Sequence, residues 1–297
     1  MMQKNWKPNK WVAATLSFFF PSLGMLYVAR VRLAVMYFFI LVGIGLTQFW
    51  FVARGYEIPA YLYLVLYIVV VTHTYRIAAR APEIDSRPWY SHWYGLLAAI
   101  LIMAVSITLF RAFLFEPFWL PSQSMFPSIP KGSYVVVKKL GYGNYASYGI
   151  RIARTEVVAP LIRGDVLVFE FPLDRSINFV KRLIGLPGDH IEYRDKRLFV
   201  NGKPLLVSPI GSQGQLEIAQ EESYLIANED GVSSTDLDVK VERGHLFLVG
   251  DNRDNSSDSR QWGQVPYDHV VGRVVLILKN KDAQSVFPAY RPQAGTR

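Results

Sequence analysis

The sequence contains no cysteine among its 297 residues. This absence excludes a disulfide framework, a thiolate metal site and a cysteine nucleophile. The remaining side chains show no metal-ligand pattern, so we expect neither a metal ion nor a cofactor.

Charged side chains are scarce in the first 120 residues, which hold ten Lys/Arg and four Asp/Glu. Residues 121–297 are nearly balanced, with 22 basic and 20 acidic side chains, and they contain no basic run. Most of the net charge of +8 therefore lies beside apolar segments, where basic residues set membrane topology. This distribution argues against nucleic-acid binding.

Long apolar runs dominate the N-terminal part of the chain. Four runs are predicted to enter a lipid bilayer, over residues 11–28, 33–52, 59–75 and 93–110. The second run has twenty residues without a charge. The sequence thus predicts a multi-span α-helical membrane anchor over residues 1–115.

The first apolar run differs from the others because Pro21-Ser22-Leu23-Gly24 interrupts it. Lys4, Lys7 and Lys10 precede it, as in a signal peptide, but no small-x-small cleavage pattern follows it. Three spans plus a re-entrant first segment would put every basic cluster in the cytoplasm, whereas four spans would place these lysines outside. We favour the three-span topology, and both versions put the C-terminal domain outside.

Residues 116–297 are predicted to form a mainly-β domain, because runs rich in Val, Ile, Phe and Tyr alternate with turn residues. Asp195-Lys196 and Asn201-Gly202 are typical of tight turns. Residues 203–243 are more polar and are predicted to form an inserted subdomain. The predicted strands are Tyr134–Lys139, Val166–Phe171, Asn178–Ile184, Ile191–Tyr193, Leu198–Val200, Leu246–Val249 and Val270–Leu278.

The segment Pro121–Pro130 joins the two parts and holds Ser122 and Ser124 between prolines. Its three prolines exclude a helix and predict an irregular, largely extended backbone. Serine and proline are also ordinary loop residues, so a simple linker is the alternative interpretation.

Lys181 lies in the predicted strand Asn178–Ile184. The two-residue period of a strand puts Phe179 and Leu183 on the same face as Lys181. Burial between them would lower the pKa of the lysine, and a neutral amine can take a proton from a serine hydroxyl. The alternative is a lysine that extends from a strand edge into solvent.

The segment Gly250–Gly263 is dense in Asp, Asn, Ser and Arg. Such residues order a loop through side-chain to backbone hydrogen bonds and carboxylate–guanidinium pairs. Arg253 and Arg260 among the carboxylates disfavour a calcium site, and the spacing does not fit an EF-hand.

Four segments together resemble the motifs of bacterial type I signal peptidases, a family of membrane-bound Ser/Lys endopeptidases. The segments are Pro121–Pro127, Arg163–Phe169, Val180–Asp189 and Gly250–Gly263, and they occur in the family's order. The resemblance implies a signal-peptidase-like β fold and the removal of N-terminal signal peptides after small residues. It extends from about Glu116 to Val275.

The resemblance also implies roles for individual residues. Ser124 corresponds to the nucleophile, Lys181 to the general base, and Ser122 to a donor of the oxyanion hole. Ser256 corresponds to a serine that orients the lysine amine, with Asp258, Arg260 and Arg182 as supporting residues. Phe118, Leu120 and Val180 correspond to residues that line the substrate pockets.

The implied partners are secreted preproteins and the lipid bilayer, at the bacterial cytoplasmic membrane with the catalytic domain on the outer, periplasmic face. The sequence leaves the oligomeric state open. It departs from the family in its longer anchor and in lacking the disulfide cysteines of some members.

Three other functions stay open at this point. A Ser-His-Asp hydrolase could use His190, His245 or His269, although none lies in a recognisable triad motif. A membrane scaffold could bind secreted peptides without cleaving them. A Ser/Lys protease could also be dedicated to one exported substrate.

Overall fold

The computed structural model of this protein describes residues 5–53, 60–210, 214–219, 222–228 and 235–278. The chain divides into two compact units, Met1–Ile107 and Thr108–Arg297. The charges at residues 54 and 57, the start of the third predicted span at residue 59 and the C-terminal segment 279–297 lie outside the described residues.

The N-terminal unit is helical. Its helices are α1 (Lys10–Phe19), α2 (Pro21–Tyr27), α3 (Val31–Ala53), α4 (Ala60–Arg80) and α5 (Trp93–Phe113), the last of which continues into the C-terminal unit. Phe20 separates α1 from α2 with an extended backbone, and Pro21 occupies the first turn of α2, where a missing N–H costs nothing. The predicted interruption of the first apolar run is therefore confirmed as a break between two short helices.

Two described helical segments, Val31–Gln48 and Trp93–Phe113, are long and apolar enough to cross a bilayer. Helix α4 contains a polar stretch, Thr72-His73-Thr74, and is not among the segments that meet this test in the described part of the chain. Ser17 Oγ donates a hydrogen bond to Thr74 Oγ1 at 2.8 Å, and both side chains are buried. This bond joins α1 to α4 inside the unit.

The C-terminal unit is mainly antiparallel β, as the sequence predicts. Its strands are β1 (Phe115–Trp119), β2 (Tyr134–Lys138), β3 (Asn144–Ser147), β4 (Ile150–Arg154), β5 (Val166–Phe171), β6 (Asp174–Gly185), β7 (His190–Arg194), β8 (Arg197–Val200), β9 (Lys203–Pro204), β10 (Leu206–Ile210), β11 (Gly214–Ala219), β12 (Glu222–Ile226), β13 (Leu237–Lys240), β14 (His245–Val249), β15 (Val265–Pro266) and β16 (Val270–Leu278). A short helix, α6 (Ser259–Trp262), lies between β14 and β15.

The largest sheet has seven strands in the order β1-β2-β16-β5-β6-β14-β15. Strands β10, β11 and β12 form a second sheet, β13, β7, β8 and β9 form a third, and β3 and β4 form a hairpin. Both predicted tight turns are confirmed, because Asp195, Lys196, Asn201 and Gly202 all have positive φ values.

Strand β5, in the middle of the seven-stranded sheet, is buried on both faces. On β5, Leu167 and Phe169 enter one hydrophobic cluster, whereas Val168 between them enters another with Leu120 and Met125. This split follows the two-residue period of a strand. The four consecutive apolar residues of β5 therefore reflect a central strand that is covered on both sides.

The polar stretch 203–243 contains five short strands, β9 to β13, in its described part. The sequence did not predict them, because exposed polar residues break their apolar pattern. Strands β9 and β13 extend the sheet of β7 and β8, while β10, β11 and β12 pair among themselves.

Candidate active site

The segment after Leu120 folds into a series of turns over Ser124–Ser128. The expected absence of helix is confirmed, but the expected extended backbone is wrong. The Phe126 N–H donates to the Gln123 carbonyl and the Ile129 N–H to the Met125 carbonyl. These bonds close the turns and bury Met125 and Ile129 in the core beneath Ser124.

Ser124 lies at the start of these turns and is mostly buried. Its N–H donates a hydrogen bond to the Ser122 Oγ atom at 3.1 Å. Its carbonyl accepts a hydrogen bond from the Asn252 N–H at 3.0 Å. The backbone of Ser124 is therefore held from both sides, once by its own segment and once by the loop after β14.

Lys181 lies on β6 with only 4% of its surface exposed. Its Nζ atom is 2.7 Å from the Ser124 Oγ atom and 5.4 Å from the centre of the Phe179 ring. The structure thus confirms the predicted burial of Lys181 and excludes the alternative of a solvent-exposed lysine.

Burial lowers the pKa of the Lys181 amine to about 8. The carboxylates of Asp258 and Asp251 raise this pKa, and the guanidinium of Arg260 lowers it, but burial is the largest influence. A lysine with a pKa near 8 is neutral in about a tenth of the molecules at pH 7, far more than an ordinary lysine, and only the neutral amine can accept a proton.

The loop Gly250–Gly263 is ordered around the buried carboxylate of Asp258. One oxygen of Asp258 accepts from the Gly250 N–H at 2.9 Å, and the other accepts from the Arg260 N–H at the start of α6. The Arg260 guanidinium pairs with Asp258 at 2.8 Å and also donates to the Arg253 carbonyl. The predicted Asp258–Arg260 pair is therefore present, and it closes the loop on itself.

Ser256 is buried in this loop beside the backbone of Gly250 and Ser124. A Cβ atom built on Gly250 would lie 2.0 Å from Ser256 Oγ and 2.6 Å from the Ser124 carbonyl oxygen. Ser256 Oγ itself has no hydrogen-bond partner among the described residues. The structure thus brings Ser256 next to the site but records no hydrogen bond between it and Lys181.

Arg182 follows Lys181 on β6 and points to the other side of the strand. Its guanidinium pairs with the buried Asp251 carboxylate at 2.6 Å and lies 3.8 Å from the centre of the Tyr224 ring. It also donates to the Gly164 carbonyl at 2.6 Å. Arg182 therefore ties β6 to the start of the Gly250–Gly263 loop.

A second buried ion pair was not predicted. The Arg253 guanidinium, in the same loop, pairs with both carboxylate oxygens of Glu217 on β11, and the Tyr224 hydroxyl donates to Glu217 at 2.6 Å. Both charged side chains are almost fully buried. Glu217 lies in the polar stretch 203–243, far from Arg253 in the chain, so no local pattern indicates this contact.

The three residues expected to line substrate pockets lie together. Leu120 belongs to the hydrophobic cluster beneath Ser124, and Phe118 and Val180 pack against it. Strand β1 is at the edge of its sheet, and β6 pairs with β14 from Arg182 onward but not over Asn178–Lys181. Both strands therefore leave backbone groups near the dyad that are not used in a described ladder.

The histidines proposed for a Ser-His-Asp site lie elsewhere. His269 contacts the Glu170 carbonyl, His190 contacts Asp238, and His245 contacts the Arg243 carbonyl. No group of three or more His, Asp or Glu side chains that could hold a metal ion is found among the described residues.

Comparisons with known proteins indicate one family for this chain. The family model described as signal peptidase, peptidase S26, matches residues 93–279. Signal peptidase I of Pseudomonas fluorescens is 37% identical over 196 residues, which cover 58% of this chain and 67% of that protein. Signal peptidase I of Rickettsia prowazekii is 33% identical over 222 residues, which cover 66% of this chain and 82% of that protein.

A solved structure of a signal peptidase I from Enterococcus faecalis is 29% identical and covers 39% of this chain and 98% of that chain, with a TM-score of 0.29. That overlap is too small to bear on the fold. The match of the family model over more than half of the chain decides the assignment: this chain belongs to the signal peptidase family, peptidase S26.

Proposed function

We propose that this chain is a membrane-bound serine endopeptidase that removes signal peptides from secreted preproteins, with Ser124 as nucleophile and Lys181 as general base. The observation that carries the proposal is the 2.7 Å separation of Lys181 Nζ and Ser124 Oγ in a site where burial lowers the lysine pKa to about 8. A scaffold that only bound peptides would gain nothing from a buried, easily deprotonated lysine against a serine.

The reaction follows from these two atoms. The neutral amine of Lys181 takes the proton of the Ser124 hydroxyl as the Oγ atom attacks the scissile carbonyl. The resulting ammonium gives that proton to the leaving amine, and the carbon–nitrogen bond breaks to leave an acyl-enzyme. Lys181 then takes a proton from the water that attacks the ester carbonyl. The ester carbon–oxygen bond breaks, and the Lys181 ammonium gives that proton to the Ser124 Oγ atom, which restores both residues.

The oxyanion of the tetrahedral intermediate needs donors that point to it. The Ser124 N–H and the Ser122 hydroxyl are the two donors beside the nucleophile, and in the free enzyme the first donates to the second. A bound carbonyl oxygen would replace the Ser122 oxygen as acceptor of the Ser124 N–H. The Ser122 hydroxyl is then free to rotate and donate its own proton to the oxyanion.

The supporting residues hold this arrangement. Asp258 and Arg260 shape the loop that carries Gly250 and Ser256, and Arg182 anchors the loop to the strand of the general base. Asn252 holds the Ser124 carbonyl. Each contact restrains the distance between nucleophile and base, to which the rate is highly sensitive.

The substrate would bind as an extended strand along the free backbone groups of β1 and β6, which is a common mode of peptide recognition. Phe118, Leu120 and Val180 would contact its side chains. Because Leu120 is itself buried and the other two are partly buried, little depth remains, and small side chains at the cleavage site fit best.

The membrane anchor extends this proposal. Three spans, with the broken helix pair α1–α2 as a re-entrant segment, keep every basic cluster of the N-terminal unit in the cytoplasm and the catalytic domain on the periplasmic face. Ser124 follows the end of α5 at Phe113 by eleven residues. A preprotein held by its own apolar segment would therefore meet the site at a high effective concentration.

The test is cleavage of a preprotein by the full-length protein in detergent, with the product identified by mass spectrometry. Ser124→Ala and Lys181→Ala should each lower the rate by about 10³-fold or more, because residues of one catalytic unit lose activity together. Lys240→Ala, an exposed lysine on β13, is the control and should cleave normally. Cleavage at the wild-type rate by either dyad variant would contradict the proposal.

The topology has its own test, by alkaline phosphatase fusions at the N-terminus and after residue 115. The fusion after residue 115 should be active, because it lies outside the cytoplasm, and the fusion at the N-terminus should be inactive. A translocated N-terminus would overturn the three-span version but not the peptidase.

A further inference from the structure

A polar cavity lies in the C-terminal unit, with a volume of about 480 Å³. It is bounded by the end of α5, strand β1, the β3–β4 hairpin and the first half of β6. Phe118, at its edge, is shared with the proposed substrate pocket, but neither Ser124 nor Lys181 lines the cavity. Its charged side chains have no part in the proposed reaction.

The cavity has an excess of positive charge. Four basic side chains (Arg111, Lys139, Arg151 and Arg175) and two acidic ones (Glu116 and Glu170) line it, which gives a net charge of +2. Both carboxylates are already paired with other side chains of the protein. Glu116 pairs with Arg111 and Lys139, and Glu170 accepts from Asn144, Arg154 and Arg175.

Of these four basic residues, Arg151 makes the fewest polar contacts within the protein. Its side chain is 53% exposed, and its only described ionic contact is to Glu170 at 3.7 Å, beyond hydrogen-bonding distance. A guanidinium in this state can donate two parallel hydrogen bonds to an anion such as a phosphate. The charge excess and the exposed Arg151 guanidinium therefore indicate an anionic ligand.

The surroundings of the cavity point to a lipid as the source of that anion. The β3–β4 hairpin turns through Tyr148 and Gly149, both of which have positive φ values. At its tip, the side chains of Tyr148 and Ile150 are 68% and 69% exposed. Trp119, also on the cavity wall, is exposed as well. Exposed aromatic and aliphatic side chains around a basic site are typical of proteins that contact a membrane surface.

The hairpin also lies against the last turn of α5. The Arg111 guanidinium is 4.1 Å from the centre of the Tyr148 ring, and the rings of Phe113 and Tyr145 are 4.8 Å apart. A helix of 21 residues is about 31 Å long, close to the thickness of the bilayer core. If α5 crosses the bilayer, as the proposed function requires, its last turn and the hairpin tip lie at the level of the lipid headgroups.

We propose that this cavity binds the phosphodiester headgroup of a membrane phospholipid, with Arg151 as the main phosphate ligand and the tip of the β3–β4 hairpin in the interface. Arg111 and Arg175, which keep partly exposed guanidinium groups on the cavity wall, add to the positive field. Such a site would fix the height of the catalytic domain above the bilayer.

The test is lipid retention by the full-length protein in detergent, followed by native mass spectrometry during titration with phosphatidylglycerol. Arg151→Gln should weaken retention about tenfold, the effect of losing one charge-assisted hydrogen-bonded contact. Arg194→Gln removes an arginine of equal exposure, 53%, that lies outside the cavity and should bind like the wild type. Arg151 makes no described hydrogen bond, and the ion pair of Arg194 with Glu192 lies at the surface, where such pairs contribute little. The unfolding midpoints of both variants should therefore stay close to that of the wild type.

Two further titrations identify the source of the anion. Diacylglycerol, which lacks the phosphate, should show no difference between wild type and Arg151→Gln. Glycerol 3-phosphate, which lacks the acyl chains, should bind far more weakly than phosphatidylglycerol. Equal retention of phosphatidylglycerol by Arg151→Gln and wild type would overturn the site, and equally tight glycerol 3-phosphate would make it a site for soluble phosphates. These titrations measure lipid binding without a preprotein, so neither result bears on the proposed peptidase activity.

Discussion

The Nζ atom of Lys181 lies 2.7 Å from the Oγ atom of Ser124, although 57 positions separate the two residues in the chain. Lys181 is fixed by β6 inside a seven-stranded sheet, and Ser124 is fixed by a set of turns packed on that sheet. The short distance is therefore a product of the tertiary fold, and the surrounding loop maintains it.

Ser122→Ala tests the oxyanion hole. If the Ser122 hydroxyl donates to the oxyanion, its loss should lower kcat by about 10²–10³-fold with little change in KM. Ser122→Thr keeps the hydroxyl and should retain most of the activity. Steady-state cleavage of a preprotein gives both constants, and a kcat for Ser122→Ala close to the wild-type value would remove Ser122 from the mechanism.

Gly250→Ala tests the close approach of the loop to the nucleophile. The added Cβ would lie 2.6 Å from the Ser124 carbonyl oxygen and 2.0 Å from Ser256 Oγ, so the backbone must move. A displacement of this size should lower kcat/KM by about 10²-fold. Gly43→Ala, on α3 with open space around it, is the matched control and should cleave normally. An active Gly250→Ala variant would show that the loop position does not set the dyad.

Glu217→Gln tests the buried ion pair between β11 and the catalytic loop. Removal of the carboxylate leaves the Arg253 guanidinium buried without its partner, which should cost about 3–5 kcal/mol of stability. The single variants Glu217→Leu and Arg253→Met form a cycle with the wild type and the double variant Glu217→Leu/Arg253→Met. The double variant should be less destabilised than the sum of these two single changes, because no charge remains buried. Thermal unfolding of the four proteins measures this coupling, and strictly additive losses would show that the pair contributes nothing as a pair.

Asp258→Asn and Arg260→Gln should shift the pH dependence of cleavage in opposite directions. The Asp258 carboxylate raises the pKa of Lys181 and the Arg260 guanidinium lowers it. Because the neutral amine is the active form, loss of Asp258 should move the rise in activity to lower pH, and loss of Arg260 should move it to higher pH. The profiles of kcat/KM against pH test this, and a shift of both in the same direction would contradict the electrostatic account.

Much of the β domain could be predicted from the sequence. Strands β5 and β16 have the predicted bounds, because runs of Val, Ile, Leu and Phe between turn residues rarely form anything else at that length. The burial of Lys181 followed from Phe179 and Leu183 on the same strand face. The local pattern of apolar residues was sufficient to predict these features.

The features that were not predicted depend on contacts between residues that lie far apart in the chain. The burial of Glu217 was not predicted, because nothing nearby in the sequence reveals that Arg253 covers it. The prolines around Ser124 excluded a helix but did not distinguish an extended segment from turns, which hydrogen bonds to Gln123 and Met125 decide. The cavity beside Arg151 was also not predicted, since elements distant in the chain, from α5 to β16, build its wall.

The most direct test of the central claim is the dependence of kcat/KM on pH for the full-length protein acting on a preprotein. Burial lowers the pKa of Lys181 to about 8, so the protonated, inactive form should predominate below that pH. The account predicts that kcat/KM rises about tenfold per pH unit below about pH 8 and levels off above it. A profile that is flat from about pH 6 to about pH 10, or that rises only near the ordinary lysine pKa of about 10.4, would contradict Lys181 as the general base.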